Sequence, residues 1–243
     1  RSPNRATRLR ELWKLHLRWW HAGPTSMRKL LSAAGVSNEV LEEIPDLVRN
    51  CKECRAWADA GNKTIASTSL PTRFNEYVET DILSYRDFKI CHIIDRCNRW
   101  HAGKDIPDKE ESTLLDAIHD IWLKIFGPMQ YLYTDGESGL ATDHAKNELK
   151  RQGVELKVRA SGQHAHYIER HGAILRTCMH LAEEQCKREC VPITIVTLLA
   201  QCLFFCNALT TVGDKTPYQA VFGRQPHMLP PSVSYTHLRA HET

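Results

Sequence analysis

The sequence lacks a strong excess of charge of either sign. Lys and Arg total 32 and Asp and Glu total 29 among 243 residues, and a chain with 25% charged and 42% hydrophobic residues has ordinary globular composition. Disordered, collagen-like and fibrous proteins are therefore excluded. The basic residues are nevertheless concentrated at one end, since residues 1–29 contain eight basic side chains and one acidic side chain, a charge of +7.

The sequence also opens without the pattern of a secretion signal, and its number of cysteines is odd. No basic stub followed by an apolar run opens the chain, and the nine cysteines cannot all pair within it, which favours a reducing compartment over a disulfide framework. Residues 191–213 carry no charge, but Pro192, Gln201 and four threonines interrupt their apolar pattern. We therefore expect a buried helix of a globular domain there, and no membrane partner.

The two ends of the sequence are unusual. The chain begins with Arg1 rather than Met, so we expect it to be a fragment of a longer translation product. Val233–Thr243 has no hydrophobic period and follows the pair Pro230 and Pro231. This segment resembles the translation of a sequencing adapter, and residues 226–243 are interpreted as a tail whose last part is an artefact.

Residues 1–57 are predicted to form a small helical domain. Apolar residues recur at helical spacing on either side of Gly23 and Pro24, and Pro45 is expected to split the third helical stretch. Residues 58–72 are rich in Ser, Thr, Gly and Ala, which predicts an interdomain linker.

Residues 73–225 show alternating strand and helix patterns, which indicate an α/β or α+β sheet domain. Strands are predicted at 74–83, 88–94, 98–104, 129–134 and 154–158. A helix is predicted to begin at a capping box of Asp108 and Glu111 and to end at Gly127. Further helices are predicted over about 142–151 and up to about Glu189.

Two histidines and two cysteines in the first domain have the spacing of a zinc site. His16 and His21 precede the pair Cys51 and Cys54, in the pattern H-x4-H-x29-C-x2-C. Two close pairs can each fill two corners of a tetrahedral ion, and a domain of about 60 residues is marginal without such a staple. Either pair alone is as readily explained by core or surface residues. A redox CxxC is disfavoured because no βαβ unit precedes it.

Three carboxylates lie where an unpaired charge would be costly. Asp81 lies in an apolar strand, Asp135 ends a central strand, and Glu169 opens the long helix. Converging carboxylates would suit Mg²⁺ or Mn²⁺, which prefer oxygen ligands, although a single such acid is more often a cap or a turn residue. The rival carboxylates are Glu79, Asp95 and Glu137.

Together these motifs resemble the integrases of retroviruses and long-terminal-repeat retrotransposons. The resemblance covers about residues 7–225 and is carried by LHLRWWHAG, CKEC, ETD, YTDGE and GQHAHYIERHGAILR. The segment NALTTVGDKTPYQAVFGRQP is similar to the polyprotein segment that follows the core of retrotransposon integrases. The 33 residues between Asp135 and Glu169 are slightly fewer than in the best-known members, and the usual third, DNA-binding domain is not recognised.

The resemblance implies an α/β (α+β) ribonuclease-H-like core, with a five-stranded mixed sheet flanked by helices, preceded by a small all-α zinc-binding domain. It implies that Zn²⁺ is bound by His16, His21, Cys51 and Cys54, and that two Mg²⁺ or Mn²⁺ ions are held by Asp81, Asp135 and Glu169. DNA phosphates are expected to be bound by Arg176, with support from Arg170, Lys157 and Arg159, each of which is as readily explained as a solvated surface charge.

The implied activity is DNA integration by phosphoryl transfer. Water is the nucleophile when a 3′ end is trimmed, and a DNA 3′-hydroxyl is the nucleophile when strands are joined. The expected partners are the DNA ends of the element, the target DNA and further copies of the chain, in the nucleus. Two alternatives stay open: an inactive domesticated module that binds nucleic acid or assists assembly, which the intact triad disfavours, and a nuclease on the same fold, which the zinc domain disfavours.

Overall fold

The computed structural model describes residues 4–57, 71–136, 138–159, 165–211 and 214–228. These residues divide into two compact units. The first unit comprises 4–57, 178–193, 208–211 and 214–228, and the second comprises 71–136, 138–159, 165–177 and 194–207. Three predictions lie wholly or largely outside the described residues: the linker at 58–72, the end of the tail at 233–243, and the rival carboxylate Glu137.

The first unit is helical, as predicted for residues 1–57. Its helices before the linker are α1 (Arg5–Arg18), α2 (Pro24–Ala33), α3 (Asn38–Leu41), α4 (Ile44–Arg49) and α5 (Lys52–Ala56). The Asn4 side chain accepts a hydrogen bond from the Ala6 N–H at 2.6 Å and caps α1, and Pro45 occupies the first turn of α4, where a missing N–H costs nothing. Leu12, Met27 and Ile44 are fully buried and form its core.

The second unit contains the predicted five-stranded mixed sheet. Its strands are β1 (Tyr77–Tyr85), β2 (Phe88–Asp95), β3 (His101–Ile106), β4 (Tyr131–Thr134) and β5 (Glu155–Val158). The strand order is β3-β2-β1-β4-β5: β1, β2 and β3 form an antiparallel meander, while β4 runs parallel to both β1 and β5.

One face of the sheet packs on the helices that connect its strands. They are α6 (Glu111–Ile118), a π-helical turn (His119–Leu123), α7 (Lys124–Phe126) and, after β4, α8 (Asp143–Arg151). Val78, Ile82 and Leu132 point into this core around the fully buried Trp122. The predicted capping box is wrong, because Asp108 accepts a hydrogen bond from the Glu110 N–H at 3.0 Å, while Glu111 bonds with Thr142 and His144.

The remaining helices are α9 (His166–Arg188), α10 (Ile195–Leu209) and the short α11 (Pro217–Phe222). The opposite face of the sheet is covered by the parts of α9 and α10 that belong to the second unit, residues 166–177 and 195–207. A Cβ on Gly172 of α9 would lie 3.5 Å from Leu83 Cδ1, so the helix packs closely against β1. The last part of α9 belongs to the first unit, whereas the sequence predicted one continuous core over 73–225. No helix among the described residues combines the length and apolarity that a membrane crossing requires.

Candidate functional site

Four predicted zinc ligands of the first unit lie together, although 30 positions separate the second histidine from the first cysteine. The ring nitrogens of His16 and His21 are 3.2 Å apart, and Cys51 Sγ lies 3.2 Å from His21 Nδ1. Cys54 Sγ lies 3.5 Å from His16 Nε2, and all four ligand atoms are within 4.8 Å of one another. Among the described residues this His/Cys group is the one set of three or more potential ligands gathered so closely. Two sulfurs and two nitrogens fit tetrahedral zinc.

Neighbouring groups orient these ligands. His16 Nδ1 lies 3.1 Å from the Ala22 carbonyl oxygen, so a proton on Nδ1 leaves the Nε2 lone pair directed at the group. Cys51 Sγ donates a hydrogen bond to Glu53, which also pairs with Arg188. Such partners fix the direction of a ligand before an ion arrives.

The backbone between the two histidines adopts a conformation that returns His21 to the site. Trp20 and His21 both have a left-handed backbone, with φ of 44° and 62°. Non-glycine residues rarely adopt this region, and such strain is concentrated at functional sites. Burial lowers the pKa of both His16 and His21 to about 4, so both rings are neutral at physiological pH, the form that binds metal.

Two of the three predicted carboxylates of the second unit lie on, or just after, neighbouring strands. The parallel pairing of β1 with β4 ends at Glu79 and Tyr133; Asp81 lies two residues further along β1, and Asp135 follows the last residue of β4. Adjacent strands are separated by about 4.8 Å, so the two acids leave the sheet from neighbouring points, two residues beyond its last β1–β4 pair. One oxygen of each accepts the N–H of the next residue at 2.7 Å, and the second oxygen remains available for a cation.

Glu169 reaches this strand through its helix. The N–H of Ile168, the residue before it, donates a hydrogen bond to Glu79 at 3.2 Å, and Glu79 lies on the same face of β1 as Asp81. Asp81 is half-buried, while Asp135 and Glu169 are exposed. The structure therefore brings together the elements that carry the three acids. The carboxylate oxygens of these acids are not as close to one another as the ligand atoms of the His/Cys group are.

The rival carboxylates that the structure describes have other partners. Asp95 is buried and accepts hydrogen bonds from the N–H groups of Asn75, Cys97 and Asn98, at 2.8 to 2.9 Å, which fixes the turn after β2. Glu79 is fully buried and contacts the guanidinium groups of Arg159 at 2.6 Å and Arg96 at 3.4 Å. The Arg159 guanidinium lies close to Glu79 Oε1 but is not aligned for a hydrogen bond, and this oxygen accepts no hydrogen bond from the described residues. The sequence placed Glu79 on the correct face but did not reveal these partners.

The four predicted phosphate-binding cations differ in their surroundings. Arg170 and Arg176 are exposed on α9, and Arg176 Nε donates to the Ser84 carbonyl at 3.3 Å. Lys157 is 43% exposed, pairs with Glu155 and lies 5.4 Å from the Tyr131 ring centroid. Arg159 is only 13% exposed and faces Glu79, so it offers little surface to a ligand.

The described fold is that of retroviral integrases. A chain of the simian T-cell lymphotropic virus intasome, solved in complex with PP2A regulatory subunit B56 gamma, superposes with a TM-score of 0.64 at 16% identity, covering 91% of this chain and 76% of that one. The HTLV-2 integrase catalytic core in complex with magnesium gives 0.51 at 11% identity, over 62% of this chain and 97% of that one. The BIV integrase core gives 0.50 at 14% identity, over 60% and 92%. Neither a protein-family model nor a curated protein sequence matches the chain.

These comparisons confirm the predicted fold class. They cover the five-stranded sheet and its flanking helices, and the helical region before the sheet carries the His/Cys group. Identities of 11 to 16% establish the fold. Function must be argued from the residues of this chain.

Proposed function

We propose that this protein is a retrotransposon-type integrase, which trims DNA 3′ ends and joins them to target DNA by phosphoryl transfer. The observation that supports this function most strongly is the parallel pairing of β1 with β4, since Asp81 and Asp135 each lie two residues beyond its last pair, Glu79 and Tyr133. Two hard oxygen donors at this spacing, with Glu169 on the helix that begins over β1, form a donor set suited to Mg²⁺ or Mn²⁺.

Each acid has a role set by its position. When bound, divalent ions would activate the attacking oxygen and stabilise the leaving oxygen of an in-line displacement at phosphorus. Asp81 is the one acid of the three that lies within a strand, where it pairs with His92 of β2, so it would be the ligand that the sheet holds in place. Asp135 and Glu169 are exposed, which leaves the site open to a DNA strand.

Exposed cations of α9 and β5 would hold the DNA. Arg176 lies seven residues after Glu169, two helical turns along the same face of α9. Arg170 and Lys157 are also accessible, and each would neutralise backbone phosphates in a salt-dependent way. Arg159 is the weakest of the four candidates because its guanidinium is largely buried against Glu79.

The first unit would contribute structure and charge. Zn²⁺ bound by the His/Cys group would hold α1 and α5 together, and the +7 charge of residues 1–29 would contact phosphates. We further propose a homo-oligomer, since two DNA ends must be held at once and α10 exposes Val196, Ala200 and Phe204 at helical spacing. Chemistry on element DNA places the expected site of action in the nucleus.

The test is a joining assay with a labelled duplex end and a second duplex, in Mg²⁺ and in Mn²⁺. Asp135→Asn should lower joining at least about a thousandfold, as loss of an essential ion ligand does. Asp87→Asn, which removes an exposed acid from the β1–β2 turn, is the matched control and should join normally. Metal-dependent cleavage without joining would favour the nuclease, and DNA binding without either reaction would favour the inactive module.

A further inference from the structure

We propose that Glu79 is a positioning residue, which fixes the start of α9 on β1 and thereby sets Glu169 beside Asp81. The inference rests on the proposed function, because it assigns a role within the same site. In this role Glu79 itself contacts neither ions nor DNA.

The position of Glu79 makes this role physically specific. Its side chain is 1% exposed and its Oε2 accepts the N–H of Ile168 at 3.2 Å. The first N–H groups of a helix have no partner within the helix, and a carboxylate at that end is favoured both as an acceptor and by the helix dipole. The residue that follows Ile168 is Glu169, so one hydrogen bond ties the proposed ligand to the strand of Asp81.

Two arginines offset the charge of this buried carboxylate. Arg159 follows β5 and approaches Oε1 at 2.6 Å, and Arg96 follows β2 and approaches it at 3.4 Å. Each guanidinium also lies over a tyrosine ring, Arg159 at 5.8 Å from the Tyr133 centroid and Arg96 at 5.4 Å from the Tyr167 centroid. A buried charge is tolerated when it is paired in this way, so Glu79 links β1, β2 and β5 to the start of α9.

Glu79 is unsuited to bind an ion itself. Both of its oxygens face internal partners, whereas Asp81, two residues later on the same face, is half-buried and uses one oxygen for the Ile82 N–H. Glu79 and Asp81 therefore lie on the same face of β1 but have different roles: Glu79 is the positioning residue and Asp81 is the proposed ligand.

The test uses the full chain loaded with Zn²⁺, and it compares Glu79→Gln with Glu79→Ala. Glutamine keeps an acceptor for Ile168 and loses the charge, while alanine loses both. The dissociation constant of Mn²⁺, measured from the free ion by electron paramagnetic resonance, should rise at least tenfold more in Glu79→Ala than in Glu79→Gln. Loss of a group that orients a metal ligand typically weakens binding about 10- to 100-fold.

A second readout needs neither Mn²⁺ nor activity. Amide exchange of Ile168 and Glu169 in the zinc-loaded, Mn²⁺-free protein should be about tenfold faster in Glu79→Ala than in wild type, because one helix-end hydrogen bond is lost. Glu79→Gln should exchange nearly as wild type does. For joining, Glu79→Ala should lower kcat and leave the KM for DNA unchanged.

Asp95→Asn is the matched control. Asp95 is also fully buried in this sheet, but it holds the turn after β2 rather than α9. It should lose stability while keeping the wild-type Mn²⁺ dissociation constant and Ile168 exchange. Equal Mn²⁺ constants for the glutamine and alanine variants, or unchanged Ile168 exchange in Glu79→Ala, would overturn the inference while wild-type joining still supports the function. Wild-type protein that neither binds Mn²⁺ nor joins DNA would overturn both.

Discussion

Asp81 and Asp135 each lie two residues beyond Glu79 and Tyr133, the last residues paired between the parallel strands β1 and β4. They are more than fifty residues apart in the sequence, and the strand order makes the strands that lead to them neighbours. Like charges on adjacent strand positions repel, typically by about 0.2 to 1 kcal/mol per pair. A divalent cation would reverse this cost.

The first prediction concerns Asp135→Asn and the melting temperature. Without divalent ions the variant should be as stable as wild type or more stable by up to about 1 kcal/mol, because a repulsion is removed. With excess Mn²⁺, wild type should gain stability as a ligand-bound native state does, and the variant should not. Differential scanning calorimetry of zinc-loaded protein measures both. Asp87→Asn should respond to Mn²⁺ as wild type does, and an equal response from Asp135→Asn would contradict the assignment.

The second prediction concerns zinc and the first unit. Purified protein should contain one Zn²⁺ per chain, and Co²⁺ in its place should give the absorption of a tetrahedral site with thiolate ligands. Cys54→Ser should lose the ion together with helical circular dichroism, because metal binding supplies folding energy to so small a domain. Cys190→Ser, which changes an exposed cysteine outside the His/Cys group, should change neither signal. A metal-free protein with a fully helical first unit would contradict this prediction.

The grouping of His16, His21, Cys51 and Cys54 and the common strand face of Glu79 and Asp81 could be predicted because spacing and strand alternation are local properties of the sequence. Gly23, Pro24 and Pro45 likewise marked helix boundaries that the structure confirms within a few residues. The relative positions of Asp81 and Asp135 depend on the strand order, which comes from the structure. Periodicity alone does not specify which strands are neighbours.

Other features depend on long-range packing and left no local signal. The Glu79 ion pairs join residues 17 and 80 positions away, and Arg159 therefore looked like a surface cation in the sequence. The capping box at Asp108 failed because Glu111 found partners in Thr142 and His144. The sequence likewise contains no signal that the end of α9 belongs to the first unit, because the helical period continues through it without interruption.

The third prediction concerns acid stability and two buried histidines of the sheet. His92 Nε2 and His101 Nδ1 are 3.1 Å apart, and both rings are buried beneath α9 and α10. Burial lowers the pKa of His92 to about 3 and lowers the pKa of His101 well below its usual value, with further lowering by His171. Each ring is therefore neutral in the folded protein and gains a proton when the chain unfolds below pH 6.5.

Because folding lowers both pKa values, acid should destabilise the folded protein. The stability contribution is complete above about pH 6.5 and is lost as the pH falls from there towards the folded-state pKa, at up to about 1.4 kcal/mol per pH unit for each histidine. Urea unfolding between pH 6.5 and 4.5 should give a slope that is smaller by about one proton in His101→Gln than in wild type. The zinc ligands are common to both proteins and cancel in the difference. Identical slopes would contradict the prediction.

The fourth prediction concerns self-association through α10. Val196 is 59% exposed and shares its face with Ala200 and Phe204. Val196→Glu should shift the protein towards the monomer in sedimentation velocity, because a carboxylate would be buried at the interface. Val158→Glu makes the same change at an exposed valine of β5 and should leave the distribution unaltered. Equal behaviour of the two variants would place the interface elsewhere.

The most direct test of the catalytic assignment is the anomalous diffraction of Mn²⁺ in crystals of the zinc-loaded chain. We expect peaks bounded by the carboxylates of Asp81, Asp135 and Glu169, and their loss in Asp135→Asn crystals grown with the same ion. Mn²⁺ bound at Glu79, Asp95 or Glu137 instead, in a protein that joins DNA, would contradict the assignment of the three acids.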